Sequence, residues 1–193
     1  MKSFKLTEKE MNDLAEKYPT PFLVASLDKI SENYDFLRKN LPRAKVFFAM
    51  KANPTGAILQ RMASLGSNFD VASPGEMRLL HSIGVAGDRM IYANPVKTLE
   101  GLSLAAEYGV NKFTFDDESE IGKMAATVPG ANVLVRIRVK NAKAVVDLNT
   151  KFGTPPEKAL ELLRQAEKAG LRPAGICFHV GSQSLTAEAY GEA

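Results

Sequence analysis

The sequence has little sulfur, little histidine and no long apolar run, and each scarcity removes a class of function. One cysteine, Cys177, cannot close a disulfide within the chain. Its neighbours Ile176 and Phe178 predict a buried, reduced thiol, the state expected of a cytoplasmic protein. Two histidines, His81 and His179, form no cluster with cysteine at ligand spacing, so no metal is expected. Met1 to Glu10 is charged throughout and no apolar stretch reaches membrane-spanning length, so neither export nor membrane insertion is expected. Charge of one sign is also scarce: 25 basic residues stand against 22 acidic ones, dispersed along the chain, and nucleic acid is not an expected partner. A serine nucleophile has no Gly-x-Ser-x-Gly elbow to sit in.

What is present is the composition of a globular chain, with 45% hydrophobic and 24% charged residues over 193 positions. Short apolar, β-branched or aromatic runs alternate with segments of helical period, the signature of repeated βα units and a parallel sheet. Strands are predicted at Val46 to Met50, Asn68 to Ala72, Met90 to Ala93, Lys112 to Phe115, Val133 to Val139 and Ala174 to Val180. Helices are predicted at Thr55 to Leu65, Gly75 to Ile83, Leu99 to Tyr108, Glu118 to Ala126 and Pro156 to Ala169, stopped by Gly66, Gly84, Gly109 and Gly170. Upstream, Phe22 to Ala25 reads as an extra strand and Asp28 to Arg38 as a helix capped by Ser26 or Asp28. Residues 1–40 are thus expected to be an extension leading into a βα region over 41–193.

Parallel βα units either close into a barrel, for which eight are needed, or spread into a doubly wound sheet; local pattern does not separate the two. No glycine-rich phosphate fingerprint follows the first strand, where Lys51, Ala52, Asn53 and Pro54 stand, which weakens a nucleotide-binding reading. The last residues, from a helix starting near Thr186 to Ala193, carry no helix stop, and the chain reads as truncated.

Polar residues collect at the strand ends, where βα barrels carry their chemistry. Lys51 closes the apolar run Val46 to Met50, a setting that partly desolvates an ammonium and favours imine formation, although lysines also end strands simply by reaching into solvent. Asp70 and Ser73 flank the second strand, Asn94 follows the third and Asp116 the fourth. Arg136 lies within the fifth, where a buried guanidinium needs an anion such as Asp70; with Arg138 and Lys140 it could instead share one solvated face. Glu76 could orient a cationic group or serve the helix N-terminus. His179, before Gly181 and Ser182, could lay a flat ring against a ligand or sit satisfied in the core, whereas His81, in a helix pattern, reads as a surface or packing residue. Ser182 is better explained by anion binding or turn capping than by nucleophilicity.

Four stretches in order, Phe48-Ala49-Met50-Lys51-Ala52-Asn53, Phe69-Asp70-Val71-Ala72-Ser73 with Glu76, Ile91-Tyr92-Ala93-Asn94-Pro95-Val96-Lys97 and Phe178-His179-Val180-Gly181-Ser182, resemble the ornithine, lysine and diaminopimelate decarboxylases of alanine-racemase-like fold. The segment from Pro21, with Lys143-Ala144-Val145-Val146-Asp147-Leu148 and Lys151-Phe152-Gly153, is similar to bacterial lysine/ornithine decarboxylases. The resemblance implies an α/β fold, an incomplete (β/α)8 TIM barrel with about six of eight units and no C-terminal β-domain. It implies pyridoxal 5'-phosphate as cofactor, with Lys51 as the Schiff-base lysine, Glu76 as the carboxylate that keeps the pyridine nitrogen protonated, and His179 stacked on the ring. It further implies Ser182 at the phosphate, Asp70 and Arg136 in the polar network around lysine and ring, and decarboxylation of lysine or ornithine to cadaverine or putrescine.

A cytoplasmic homodimer is implied as well, with Lys151 in an intersubunit salt bridge. The pattern's later parts are missing: the glycine-rich phosphate loop, the acidic-Pro-Gly-Arg motif, the partner-subunit cysteine, which Cys177 does not match, and the β-domain. The chain alone is therefore expected to be poorly stable and inactive, with open sheet edges. The alternatives are a non-catalytic regulator resembling antizyme inhibitors and a pyridoxal-phosphate racemase. Lysine versus ornithine preference is not legible.

Overall fold

The computed structural model describes residues 4–139, 151–182, 184 and 187–193. Lys140 and the stretch 143–148, and Gln183 and Thr186 near the chain's end, lie outside the described residues. Two compact units are formed, one by the described residues up to Val46 with Thr55–Ser67, the other by Phe47–Pro54 with Asn68–Ala193.

The first unit holds helices α1 (Glu8–Lys17), α2 (Leu27–Asn40) and α3 (Gly56–Ser64). The helix α1 was not foreseen, although its signal was present. Thr7 and Glu10 make a capping box in which the Thr7 side chain accepts from Glu10 N and the Glu10 carboxylate accepts from Thr7 N. Ser26, not Asp28, caps α2 by accepting from Lys29 N. The strand expected at Phe22 to Ala25 is absent: the segment is irregular and Leu23 is 100% exposed. Apolar residue type alone makes no strand, because an extended segment is held only when a neighbour pairs its backbone groups.

The second unit is a six-stranded parallel sheet: β1 (Phe47–Ala49), β2 (Asn68–Val71), β3 (Met90–Tyr92), β4 (Lys112–Phe115), β5 (Asn132–Arg136) and β6 (Arg172–Cys177). Helices α4 (Pro74–Ser82), α5 (Leu99–Glu107), α6 (Ser119–Thr127) and α7 (Ala159–Lys168) separate the later strands, and a short α8 (Glu188–Glu192) follows β6. Each strand pairs only with its sequence neighbours, from β1 through β6. That order never reverses, which is barrel winding; a doubly wound sheet turns back at a switch point.

Several boundaries differ from expectation. β1 stops at Ala49, and Met50–Ala52 tighten into a 3-10 turn. β5 stops at Arg136 rather than continuing to Val139, and β6 runs over Arg172–Cys177, ending before Phe178. Pro173 falls inside β6, a position tolerated because β6 lies at the sheet's edge and a register shift opposite Val133/Leu134 accommodates it. The helix expected from Pro156 opens as a 3-10 turn, Pro156–Lys158, before α7.

Alternation along the strands sorts the two faces. Phe69, Val71, Met90, Tyr92, Phe113, Phe115, Val133 and Val135 are buried to 2% exposure or less and form the packed face. A Cβ on Gly101 of α5 would lie 2.6 Å from the Tyr92 hydroxyl, so only glycine lets that helix approach the strand. The opposite face carries Asp70, Ile91 and Arg136, all half-buried, where parallel sheets are ordinarily apolar on both sides.

Candidate active site

The half-buried face and the strand ends enclose a cavity of about 440 Å³. Lys51, Asp70, Asn94, Arg136, Cys177 and His179 line it, with apolar contributions from Phe47, Ile91, Pro95, Phe152 and Phe178. Four of the expected site residues, Lys51, Asp70, Arg136 and His179, are thus brought to one space from four separate βα units.

Lys51 is exposed rather than partly desolvated as expected. β1 ends early, and Lys51 lies in the 3-10 turn that follows it, where it is exposed while still lining the cavity. Asp70, the last inward residue of β2 and paired in register with Ile91 of β3, has its carboxyl pushed up. Burial is the main cause; the positive charges of Lys51 and Arg136 oppose it and the nearby Glu76 charge adds to it.

The Arg136 guanidinium lies 5.2 Å from the centre of the Phe152 ring, a cation–π contact rather than the expected ion pair with Asp70. Phe152 is delivered by a docked segment: Thr154 N donates to Arg136 O at 2.9 Å, Arg138 N to Thr154 O at 2.9 Å, and Gly153 N to the Asp116 carboxylate at 2.6 Å. Gly153 has φ +94 and a Cβ there would sit 3.0 Å from Arg138 N, so the Lys151-Phe152-Gly153 stretch requires its glycine. Lys151 is exposed, its ammonium 4.9 Å from the Phe152 ring centre.

His179 lies two residues beyond β6 and is half-buried. Its Nδ1 accepts from Gly181 N at 2.9 Å, which leaves the ring proton on Nε2. Burial first, then the charges of Arg136 and Lys51, hold its pKa below the usual value, so the ring is neutral near pH 7. Cys177 is half-buried rather than buried, and burial pushes its thiol up to about 11.

Two expected site residues do not line the cavity. Ser73 caps α4 by accepting from Glu76 N at 3.3 Å, and the Glu76 carboxylate turns back to accept from Ala72 N at 2.5 Å. Glu76 therefore serves the helix N-terminus and reaches Asp70 only through its charge. Ser182 is half-buried, three residues past His179. His81 packs as a surface residue, stacked on Tyr108 at 3.9 Å. Asn94 braces the site from the loop after β3: Nδ2 donates to Ala72 O at 3.4 Å and Oδ1 accepts from Val96 N at 3.2 Å.

Lys97 had appeared only as the end of a motif, yet it is 2% exposed and ion-paired with Glu120 at 3.2 Å. Burial pushes its ammonium down to about 8, against the pull of Glu120. Nothing in its spacing distinguishes it from a surface lysine ahead of a helix cap.

Residues 27–193 match the family described as pyridoxal-dependent decarboxylase, pyridoxal binding domain. The chain belongs to this family. It is 66% identical over 193 residues to the lysine/ornithine decarboxylase of Selenomonas ruminantium, covering 100% of this chain and 49% of that relative. The antizyme inhibitor 2 of Xenopus laevis is 37% identical over 172 residues, covering 89% of this chain and 38% of that protein. Among solved structures, SrLDC in complex with PLP and cadaverine superposes with a TM-score of 0.92 at 63% identity, covering 100% of this chain and 48% of that one. The decarboxylase-family chain thus spans about half the length of the curated relatives it matches, and its sheet corresponds to the first part of their barrel.

Proposed function

We propose that residues 1–193 are the cofactor-binding half of a pyridoxal-phosphate-dependent decarboxylase that converts lysine or ornithine to cadaverine or putrescine in polyamine biosynthesis. In this reading residues 1–40 lead into the barrel, and the complete protein works as a cytoplasmic homodimer with Lys151 at the subunit interface. The observation that carries the proposal is the convergence of Lys51, Asp70, Arg136 and His179 on one cavity.

The residues present suit the cofactor. The cavity offers an exposed primary amine for an aldehyde, a carboxylate, a guanidinium and a neutral imidazole face. Thr114, whose buried Oγ1 has no hydrogen-bond partner among the described residues, also lines it. Bound there, pyridoxal phosphate supplies an electron sink for the pair left behind as carbon dioxide departs.

The chain's own residues hold and orient. Lys51 Nζ, exposed and lining the cavity, would be the amine that holds the cofactor's aldehyde. His179, with its proton on Nε2, stacks a flat uncharged ring over the site. Asp70 and Arg136 set the charge balance around Lys51, the guanidinium held in place by Phe152. For the cofactor phosphate the family resemblance points to Ser182, which does not line the cavity itself. For the pyridine nitrogen the family resemblance points to Glu76; since its carboxylate accepts from Ala72 N, the geometry favours Asp70 facing the cavity and Glu76 positioning the turn behind it.

A second reading, a non-catalytic regulator, is supported by the 37% identity to antizyme inhibitor 2. One experiment separates the two: the full-length protein is purified with pyridoxal phosphate, and carbon dioxide release from lysine, ornithine and diaminopimelate is measured for wild type and Lys51→Ala. Release from lysine or ornithine that vanishes in Lys51→Ala supports the decarboxylase. A lysine-bound cofactor absorbance with no release sinks it in favour of the regulator or of a pyridoxal-phosphate racemase.

A further inference from the structure

An ammonium with no exposed side-chain surface is costly unless every proton on it is used. Lys97 Nζ donates to Pro95 O at 2.7 Å, Thr114 O at 2.7 Å and Asn94 O at 3.3 Å, and pairs with Glu120 Oε2 at 3.2 Å. Glu120 is 3% exposed and also accepts from Lys97 N at 3.2 Å. Lys123 closes the group, its Nζ donating to Lys97 O at 2.8 Å and to Glu120 Oε1 at 2.5 Å.

The carbonyls held by Lys97 belong to residues that line the cavity. Asn94, Pro95 and Thr114 all face it, whereas Lys97, Glu120 and Lys123 do not. One buried cation therefore ties the loop after β3 to β4 and to the first turn of α6, from behind the site. Asn94 passes the constraint on, through Nδ2, to the carbonyl of Ala72 at the end of β2. A well-packed apolar pair could stabilise the same position equally well, so retention of a buried ion pair here is better accounted for by what it orients.

We propose that Lys97 and Glu120 are positioning residues for the cofactor cavity, holding the Asn94–Pro95 loop in the shape that receives the ligand. The inference rests on the cofactor reading above. The single variant Lys97→Met removes the three carbonyl contacts and leaves Glu120 paired with Lys123. The double variant Lys97→Met/Glu120→Gln also removes the remaining buried carboxylate charge, leaving an amide whose oxygen can still accept from the backbone N–H of residue 97, and is expected to fold while the loop stays unheld.

The test titrates full-length apoprotein with pyridoxal phosphate, following the Lys51-bound absorbance, with thermal unfolding of each variant alongside. The double variant is expected to unfold at close to the wild-type temperature yet bind the cofactor about tenfold more weakly, the scale of losing charge-assisted hydrogen bonds. A double variant that recovers both stability and wild-type affinity overturns the positioning role and leaves the pair as packing alone. A wild type that takes up no pyridoxal phosphate overturns the cofactor reading, and the inference with it.

Discussion

Two lysine–carboxylate groups lie on the same sheet and have opposite fates. At the cavity, Lys51 is exposed and Asp70 is half-buried, facing Lys51 and Arg136 with no ion pair to either among the described residues. Behind the cavity, Lys97 and Glu120 are buried and saturated by carbonyls, a backbone N–H and Lys123. Both sets sit in the turns and strand ends of neighbouring βα units. The difference is satisfaction: the second group has spent its hydrogen-bonding capacity on the fold, while the first has kept its capacity for a ligand. A polar cluster that costs stability at a cavity, next to one that is fully paired, is the pattern of a site and its support.

That contrast can be broken most sharply at Lys51. Lys51→Ala in the full-length protein should reduce carbon dioxide release by at least about a thousandfold, the scale on which loss of a covalent group costs turnover. Its unfolding midpoint should hardly move, because the side chain is exposed. A large loss of stability instead would make Lys51 part of the structural class.

The next effect belongs to the buried group. Glu120→Ala leaves the Lys97 charge without its anion and should destabilise the protein by about 3–5 kcal/mol, measured by urea unfolding. A change within a few tenths of a kcal/mol would mean that the carbonyls alone suffice.

Asp70→Asn should act in the opposite sense. Because burial holds the Asp70 pKa above its ordinary value, the ionised form penalises the fold at neutral pH, a penalty relieved only as pH falls through the raised pKa. Removing the charge should raise the apoprotein's thermal midpoint by a few degrees while weakening cofactor binding. If stability falls together with affinity, Asp70 is a structural group.

The smallest expected effect is that of His179. Its folded-state pKa is below the ordinary 6.5, so as pH drops through that value the unfolded chain takes up the proton first and stability is lost. Wild type should lose more stability than His179→Gln between about pH 7.5 and about pH 5.5, where imidazoles titrate. Equal losses would place the ring in a fully solvated setting.

Much of the second unit was legible, for a physical reason. Runs such as Phe113 to Phe115 and Val133 to Val135 need burial whatever surrounds them, and stops such as Gly170, with φ +88, need a residue free to adopt it. The residues at the strand ends were legible as a group because barrel winding puts all strand ends on one side. Less legible was how each polar side chain would be used. Arg136 meets Phe152 rather than Asp70, Glu76 turns to its own helix, and Lys97, the last residue of its motif, is buried in an ion pair. Phe152 and Asp70 lie 16 and 66 residues from Arg136, and Glu120 lies 23 from Lys97; local pattern carries no information on which such partner is nearer. The strand read at Phe22 to Ala25 erred in the same way, since a ladder needs a second strand.

The sequence by itself determined the parallel βα succession, the helix stops and the set of side chains gathered at the strand ends, because these depend on residue type and spacing along one chain. Only the tertiary structure decided the barrel order of the strands and which ammonium is exposed at the cavity and which is sealed behind it. Both depend on distances across the sheet, where desolvation and hydrogen bonding choose among partners that the linear order leaves equivalent.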